Sequence, residues 1–538
     1  MVSQLIEILV LVLGMATCTA SVRAQIYNVS AYGAVCDWNG TTGTDDTTAF
    51  AAAAAAASAN FTATGRPTEI TYSGNCRISG VVTYGSGVHW NGASGIITVP
   101  LQVGPTLQAK DADNVSWDKI TVTIINSQSG TIDNPLYSPI QWLSTGDNRA
   151  HNNVAIRNCT VNNANWGILL DYALGSGSGL AGVTIIGNTV TSPTAYSNFD
   201  GIHVAGRIQN VVVSGNKVFN RGDAGIAFTS EKSGSTIYTP SKILIYGNLL
   251  IQDRVGIDMA GPTVWKVAGN YVYATVLPSP SQPSNPAFRC IYYNAPCLNG
   301  DVNENTLIAP NQGDDNVKVD DTQDTASGGS GTYSGAININ FAGNDFGSTL
   351  NPSLYVRGSN MSINGNTFPT GGMLAIDYNS GVNIGSTNIA VGQNHWLGSG
   401  SVSIGANPSL ITNVRMAMQK SLGTITYKNR VNAKTLNSAD QTTTVVGCNL
   451  TSTGNGALCP ASSVLPFPQT FTDTRHSISC SRQTILNGSS GAMPVVEIEE
   501  IPNAVTNFPY AQAAVGNATG FTISPNYWTY TCRAVHHN

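Results

Sequence analysis

Asp200-Gly-Ile-His-Val-Ala, Ala224-Gly-Ile-Ala-Phe-Thr, Val255-Gly-Ile-Asp-Met-Ala and Arg289-Cys-Ile-Tyr-Tyr-Asn are four renderings of one phrase within Phe199–Asn294. Each follows an alternating apolar run that ends in Gly-Asn: Val183-Thr-Ile-Ile-Gly-Asn188, Val211-Val-Val-Ser-Gly-Asn216, Ile243-Leu-Ile-Tyr-Gly-Asn248 and Trp265-Lys-Val-Ala-Gly-Asn270. Alternation at period two marks a strand with one buried face. Two strand phrases returning every ~20 to 35 residues predict a stacked β-solenoid, whose rungs bury their apolar sides only against one another.

The same phrases extend outward in both directions. Asn114-Val-Ser-Trp and Val154-Ala-Ile-Arg-Asn158 precede the central stretch; Ile337-Asn-Ile-Asn-Phe-Ala-Gly-Asn344, Met361-Ser-Ile-Asn-Gly-Asn366 and Ile389-Ala-Val-Gly-Gln-Asn394 follow it. The recurring asparagine is expected to turn the chain out of each strand, to tolerate the left-handed conformation, and to bond its amide to the asparagine of the next rung. Asn311–Ser334, with its cluster of aspartates, reads as a solvated surface loop, since it lacks the spacing of a calcium loop. Beyond about Leu410 the Gly-Asn signal stops. Thr424-Ile-Thr-Tyr, Thr442-Thr-Thr-Val-Val, Val495-Val-Glu-Ile and Tyr527-Trp-Thr-Tyr-Thr-Cys532 then read as antiparallel strands.

Charged residues make up 10% of the 538, the net charge is -5, and glycines number 56. This composition suits an amide- and hydroxyl-rich β-structure and excludes charge-driven disorder. Without basic runs, nucleic acid is not an expected partner. Residues 1–24 read as a signal peptide ending at Val22-Arg23-Ala24, although their leading segment lacks Lys and Arg and carries Glu7. No later run is long and apolar enough to span a bilayer as a helix. Nine cysteines remain after residue 24. Cys290/Cys297, Cys448/Cys459, Cys36/Cys76 and Cys480/Cys532 are candidate pairs, with Cys159 left over inside the stack, and an oxidising, extracytoplasmic location follows.

Near the start, Tyr32-Gly-Ala and Thr44-Asp-Asp-Thr enter the alanine run Ala51–Ala57, a helix that Asp45 or Asp46 can cap. With the strand Glu69-Ile-Thr-Tyr72, this entry resembles that of the pectate-lyase-like superfamily, which includes polygalacturonases, rhamnogalacturonases, lyases and phage tailspikes. The resemblance implies an all-β protein: a right-handed parallel β-helix over 25–409 with an N-terminal capping helix, followed here by a C-terminal β-rich domain over 410–538 that binds, caps or oligomerises.

Chemistry concentrates on the repeated phrases. Alignment on Ile168, Ile202, Ile226, Ile257 and Ile291 turns the next residue outward: Leu169, His203, Ala227, Asp258 and Tyr292. Rungs lie ~4.8 Å apart, so Asp200, His203, Asp223, Arg254, Asp258, Arg289 and Tyr292 are expected on one face. The rows also resemble polygalacturonase-type hydrolases, whose successive strands read Asn-Thr-Asp-Gly, Gly-Asp-Asp-Cys, Gly-His-Gly and Arg-Ile-Lys. Asn198-Phe199-Asp200-Gly201 fits the first in register. Gly222-Asp223-Ala224 keeps only the first Asp of the second, Val255 stands where the third has His, and Arg289-Cys-Ile lacks the Lys.

Paired carboxylates cut glycosidic bonds at separations of about 5–5.5 Å or about 6.5–9.5 Å, and crowding raises the pKa of one of them. The reading is a secreted polysaccharide-degrading glycoside hydrolase with Asp200, Asp223, Asp258 and His203 as its catalytic set. Arg254 and Arg289 would hold an acidic or hydroxyl-rich sugar, and Trp166, Tyr292 and Tyr293 would offer stacking faces. No metal or other cofactor is expected; calcium enters only if the protein is a polysaccharide lyase acting on a uronate. A non-catalytic, tailspike-like or adhesin-like glycan binder is the third reading. The protein is expected to be a monomer or a trimer, with a poly- or oligosaccharide as its partner.

Overall fold

The computed structural model describes residues 24–428 apart from short interruptions, the longest at 127–136, 275–285 and 324–335, and beyond them strands at 440–446, 476–486 and 527–536. The expected signal peptide and the pair Cys448/Cys459 lie outside the described residues, as does Val495-Val-Glu-Ile. A typical rung consists of Ile208–Ser214, Lys217–Phe219 and Ala224–Thr229. Each of these strands pairs in parallel with its counterparts in the rungs before and after. One sheet has 13 strands in chain order; the other has 25, because two strands of a typical rung join it on either side of the Gly-Asn corner. This is a parallel β-helix. Ile168, Ile202, Ile226 and Ile257 stack in register at its centre with no exposure.

The corner divides its work between two residues. The glycine before each asparagine turns the chain, with φ near +60° at Gly187, Gly215, Gly247 and Gly269, a conformation that costs a residue without Cβ little. The asparagine after it is buried and makes the ladder. Asn188 Nδ2 donates to Asn216 Oδ1, Asn216 to Asn248, Asn248 to Asn270 and Asn270 to Asn305, each at 2.9 Å. The ladder continues through Asn344, Asn366 and Asn394. The turning role expected of these asparagines thus belongs to their neighbours. Other asparagines, among them Asn299, Asn338, Asn360, Asn388 and Asn413, do adopt positive φ, at a second and exposed corner.

The ladder also corrects the reading of the chain beyond Leu410. Gln419 Oε1 accepts from the N–H and Nδ2 of Asn394 at 3.3 and 3.2 Å, so a glutamine occupies the next step without the Gly-Asn signal. Thr424-Ile-Thr-Tyr is correspondingly not antiparallel: Ile425–Lys428 pairs in parallel with the strand Gly400–Ile404. The strands Asp440–Val446, His476–Leu486 and Tyr527–His536 do form an antiparallel sheet, with Cys480 opposite Cys532 in register. At its other end the ladder begins at Cys159, whose N–H donates to Asn188 Oδ1 at 2.8 Å. Cys159 is buried and free, as expected, and burial pushes its thiol up to about 12.

The helix Thr47–Thr64 packs Phe50 against Tyr72 and Trp90 of the first strands, covering an edge that would otherwise recruit strands. Asp45 Oδ1 accepts from the Thr47 N–H at 3.0 Å. Asp46 instead turns back to the N–H groups of Val35, Cys36 and Arg77. Cys36–Cys76 and Cys290–Cys297 are disulfides.

Candidate functional site

The site lies on the outer face of the 13-stranded sheet. Register places Leu169, His203, Ala227, Asp258, Arg289, Lys318 and Tyr355 in one row on successive rungs. The fourth phrase enters this row differently from the expected alignment. Ile257 faces Phe288 rather than Ile291, so Arg289, not Tyr292, stands beside Asp258. The cause is packing: Phe288 and Cys290 are the inward residues, with Cys290 committed to its disulfide. Tyr292 falls at a register irregularity, and Tyr293 forms an isolated bridge with Ala295. Neither tyrosine joins the row.

Asp200 is 5% exposed and has donors on both oxygens. His203 Nδ1 lies 2.5 Å from Oδ2, and the Ala224 N–H donates to Oδ1 at 2.8 Å. Ala224, where the hydrolase pattern has its second Asp, therefore contributes a backbone donor. Burial works against the charged form of His203, but the hydrogen bond and charge of Asp200 outweigh it, and the His203 pKa is raised. Trp166 stacks on Phe199 at 4.9 Å and lies 5.4 Å from His203. At 6% exposure it is a wall of the dyad rather than a face open to a sugar.

Asp223 differs from Asp200 in access: its side chain is 42% exposed. Desolvation by the protein around it and, next, the charge of Asp200 raise its pKa above the ordinary carboxylate range, against the pull of Arg254 and Arg289. Arg254 Nη1 reaches Asp223 Oδ1 at 3.4 Å. Asp258 is held by Arg289 through two bonds, Nε at 2.8 Å and Nη2 at 2.5 Å. Both arginines expected to hold substrate are thus engaged by aspartates on neighbouring rungs.

Several groups escaped the sequence reading. Arg221 has no exposure, and its guanidinium donates to the carbonyls of Ala164, Asn165, Phe199 and Asp200, tying three rungs beneath the dyad. Its N–H donates to the buried Asp253 at 3.0 Å. Burial pulls Arg221 down and pushes Asp253 well above the carboxylate range. Glu231 begins the hairpin Glu231–Ser233/Thr236–Tyr238; burial raises it to about 7, opposed by the nearby His203. The available signal was rarity: charges stand beside the repeated phrase in a chain with 10% charged residues. The acidic segment expected to be a loop supplies another pair. Val317–Gln323 is a strand of this sheet, and its buried Asp320 holds Arg357 through Nε at 2.8 Å and through Nη2.

No protein-family model and no curated protein matches the sequence. Among solved structures the chain is similar to the Dettilon tailspike protein, at 12% identity over 97% of both chains with a TM-score of 0.41. It is similar to PfbA, a surface adhesin of Streptococcus pneumoniae, at 14% identity over 78% of this chain and 91% of that one, TM-score 0.42. It is also similar to the catalytic unit of a thermostable GH87 alpha-1,3-glucanase from Streptomyces thermodiastaticus, at 16% identity over 77% and 69%, TM-score 0.37. These three differ from one another in what they do, and at these TM-scores the likeness decides nothing about activity.

Proposed function

We propose that this protein is a polysaccharide-degrading glycoside hydrolase with Asp223 as its proton donor. The observation that carries the reading is the contrast between two aspartates set close together on the same face. Asp223 is open to substrate, and its surroundings favour the protonated form more than those of an ordinary carboxylate. Asp200 is enclosed and fixed from both sides by His203 and the Ala224 N–H. Two carboxyls whose surroundings separate their roles are what acid/base cleavage of a glycosidic bond requires. Asp223 protonates the leaving oxygen as the glycosidic bond breaks, and Asp200, oriented by His203, takes a proton from the water that bonds to the anomeric carbon. Asp258, held on both oxygens by Arg289, positions the sugar rather than exchanging protons. Arg221 keeps Asp200 in place by binding the backbone around it. The two disulfides fit a secreted protein.

Product analysis on a polysaccharide panel tests the reading. Saturated sugars with new reducing ends are expected from the native protein, and none from Asp223→Asn or Asp200→Asn. Products absorbing in the near ultraviolet, dependent on added calcium, would identify a lyase. Tight glycan binding with no product from the native protein would identify a binding protein.

A further inference from the structure

The arginines of this face bear on what kind of sugar it accepts. Arg254 is paired with Asp223, Arg289 with Asp258 and Arg357 with Asp320. In the last two pairs both side chains are at most 17% exposed. An incoming carboxylate or sulfate would have to displace an aspartate from its guanidinium and leave that aspartate close by, poorly hydrated and unpaired, which is strongly unfavourable. Among the described residues, the remaining cation of the outward row is Lys318, which has no ion pair and lies 6.0 Å from the Tyr355 ring. One ammonium does not turn a face built on two buried, compensated pairs and the Asp200–His203 dyad into a polyanion site.

We infer that the glycan bound on these rungs carries no carboxylate or sulfate at the units contacting Arg289 and Arg357, so that the substrate class is a neutral or amino-sugar polysaccharide. The inference rests on the hydrolase reading for the location of the site but not for its chemistry. A guanidinium locked to a carboxylate in one plane presents N–H donors and oxygen acceptors side by side at its edge, an arrangement that matches neighbouring sugar hydroxyls. The half-buried ring of Tyr355 supplies an apolar surface next to them. A polyanion would also push the Asp223 proton donor further up, holding the site in a form poorly suited to releasing its proton.

The test uses the full chain with neutral glucans, galactans and mannans, partly deacetylated chitin, polygalacturonate, alginate and a sulfated galactan. Native protein is scored for products and Asp223→Asn for binding. A non-acidic glycan is expected to be bound, with KM changing less than about twofold between about 50 and 500 mM NaCl, because no ion pair with substrate is there to be screened. Lys318→Glu is expected to leave that KM within about twofold. Turnover of a polyanion with KM rising tenfold or more over the same salt range, or lost in Lys318→Glu, overturns the inference, as does binding of no non-acidic glycan on the panel. The two proposals fail separately. A neutral glycan bound by Asp223→Asn but never cleaved by the native protein sinks the hydrolase and spares the substrate class; saturated products from polygalacturonate do the reverse.

Discussion

The Gly-Asn corner and the outward row of the 13-stranded sheet are ladders of equal pitch with opposite contents. At the corner, asparagine follows asparagine from Asn188 to Asn394, each buried and each satisfied by the next. In the row from Leu169 to Ala375, no two neighbours are alike. A stack of identical amides closes its hydrogen bonds upon itself and leaves nothing for a ligand. A stack of unlike groups compensates charge pairwise, as Asp258 and Arg289 do, and keeps spare valences at its edge. In this molecule repetition holds the chain together, and departure from repetition is where its titratable groups gather.

The sharpest way to separate the two ladders is to change one residue in each. Asp223→Asn is expected to lower kcat by about 10²- to 10⁴-fold, the usual loss of a general acid, without lowering the thermal midpoint. Asn248→Ala is expected to behave in the opposite sense. It removes the bonds to Val213 O and Asn270 Oδ1, strands the N–H of Asn216 and leaves Asn216 Nδ2 with only its bond to Ile185 O. A loss of about 3 kcal/mol in urea unfolding should follow, with KM retained in the molecules that remain folded. If Asn248→Ala spared stability, or Asp223→Asn destroyed it, the division of labour would be wrong.

A smaller effect should appear in the dependence of stability on pH. The raised pKa of Asp223 means that the unfolded chain releases this proton near pH 4 and the folded chain near 7. Between those values the folded state binds more protons, so stability falls as pH rises. Asp223→Asn should flatten the decline of the thermal midpoint in that window. His203 also has a raised pKa. Its contribution is complete below the ordinary histidine value of about 6.5 and is lost as pH rises through the folded value, so His203→Gln should flatten the adjoining, more alkaline window. The smallest change is expected at the exposed corner. Asn360→Ala removes bonds to Asn338 and Asn388 that water can replace, and about 0.5 kcal/mol should be lost in the same urea experiment.

The helix was legible because its signals are local and repeated. Gly-Asn after an alternating run identifies a corner from sequence alone, and four such corners with four strand phrases leave little room for another fold. Legibility failed where packing replaced the signal. Phe288 shifts the fourth phrase by filling the inward position, and nothing within Arg289-Cys-Ile-Tyr announces that. Gln419 continues the amide ladder without a Gly-Asn, so the strand Ile425–Lys428 looked foreign to the stack. Within the site, Asp200, His203, Asp223 and Asp258 were marked by position in the repeat. Arg221 was not, because its role depends on carbonyls 21 and 57 residues away in sequence that only the coiled chain brings beneath it.

Successive members of the asparagine ladder are separated by 28, 32, 22, 35, 39, 22 and 28 residues, yet each bonds the next in the same way. The chain is pinned at one point per circuit and is otherwise at liberty in how far it wanders before returning. A lineage can therefore lengthen or exchange the excursion beside the site, as the hairpin Glu231–Tyr238 lengthens one circuit, without disturbing the circuits above and below.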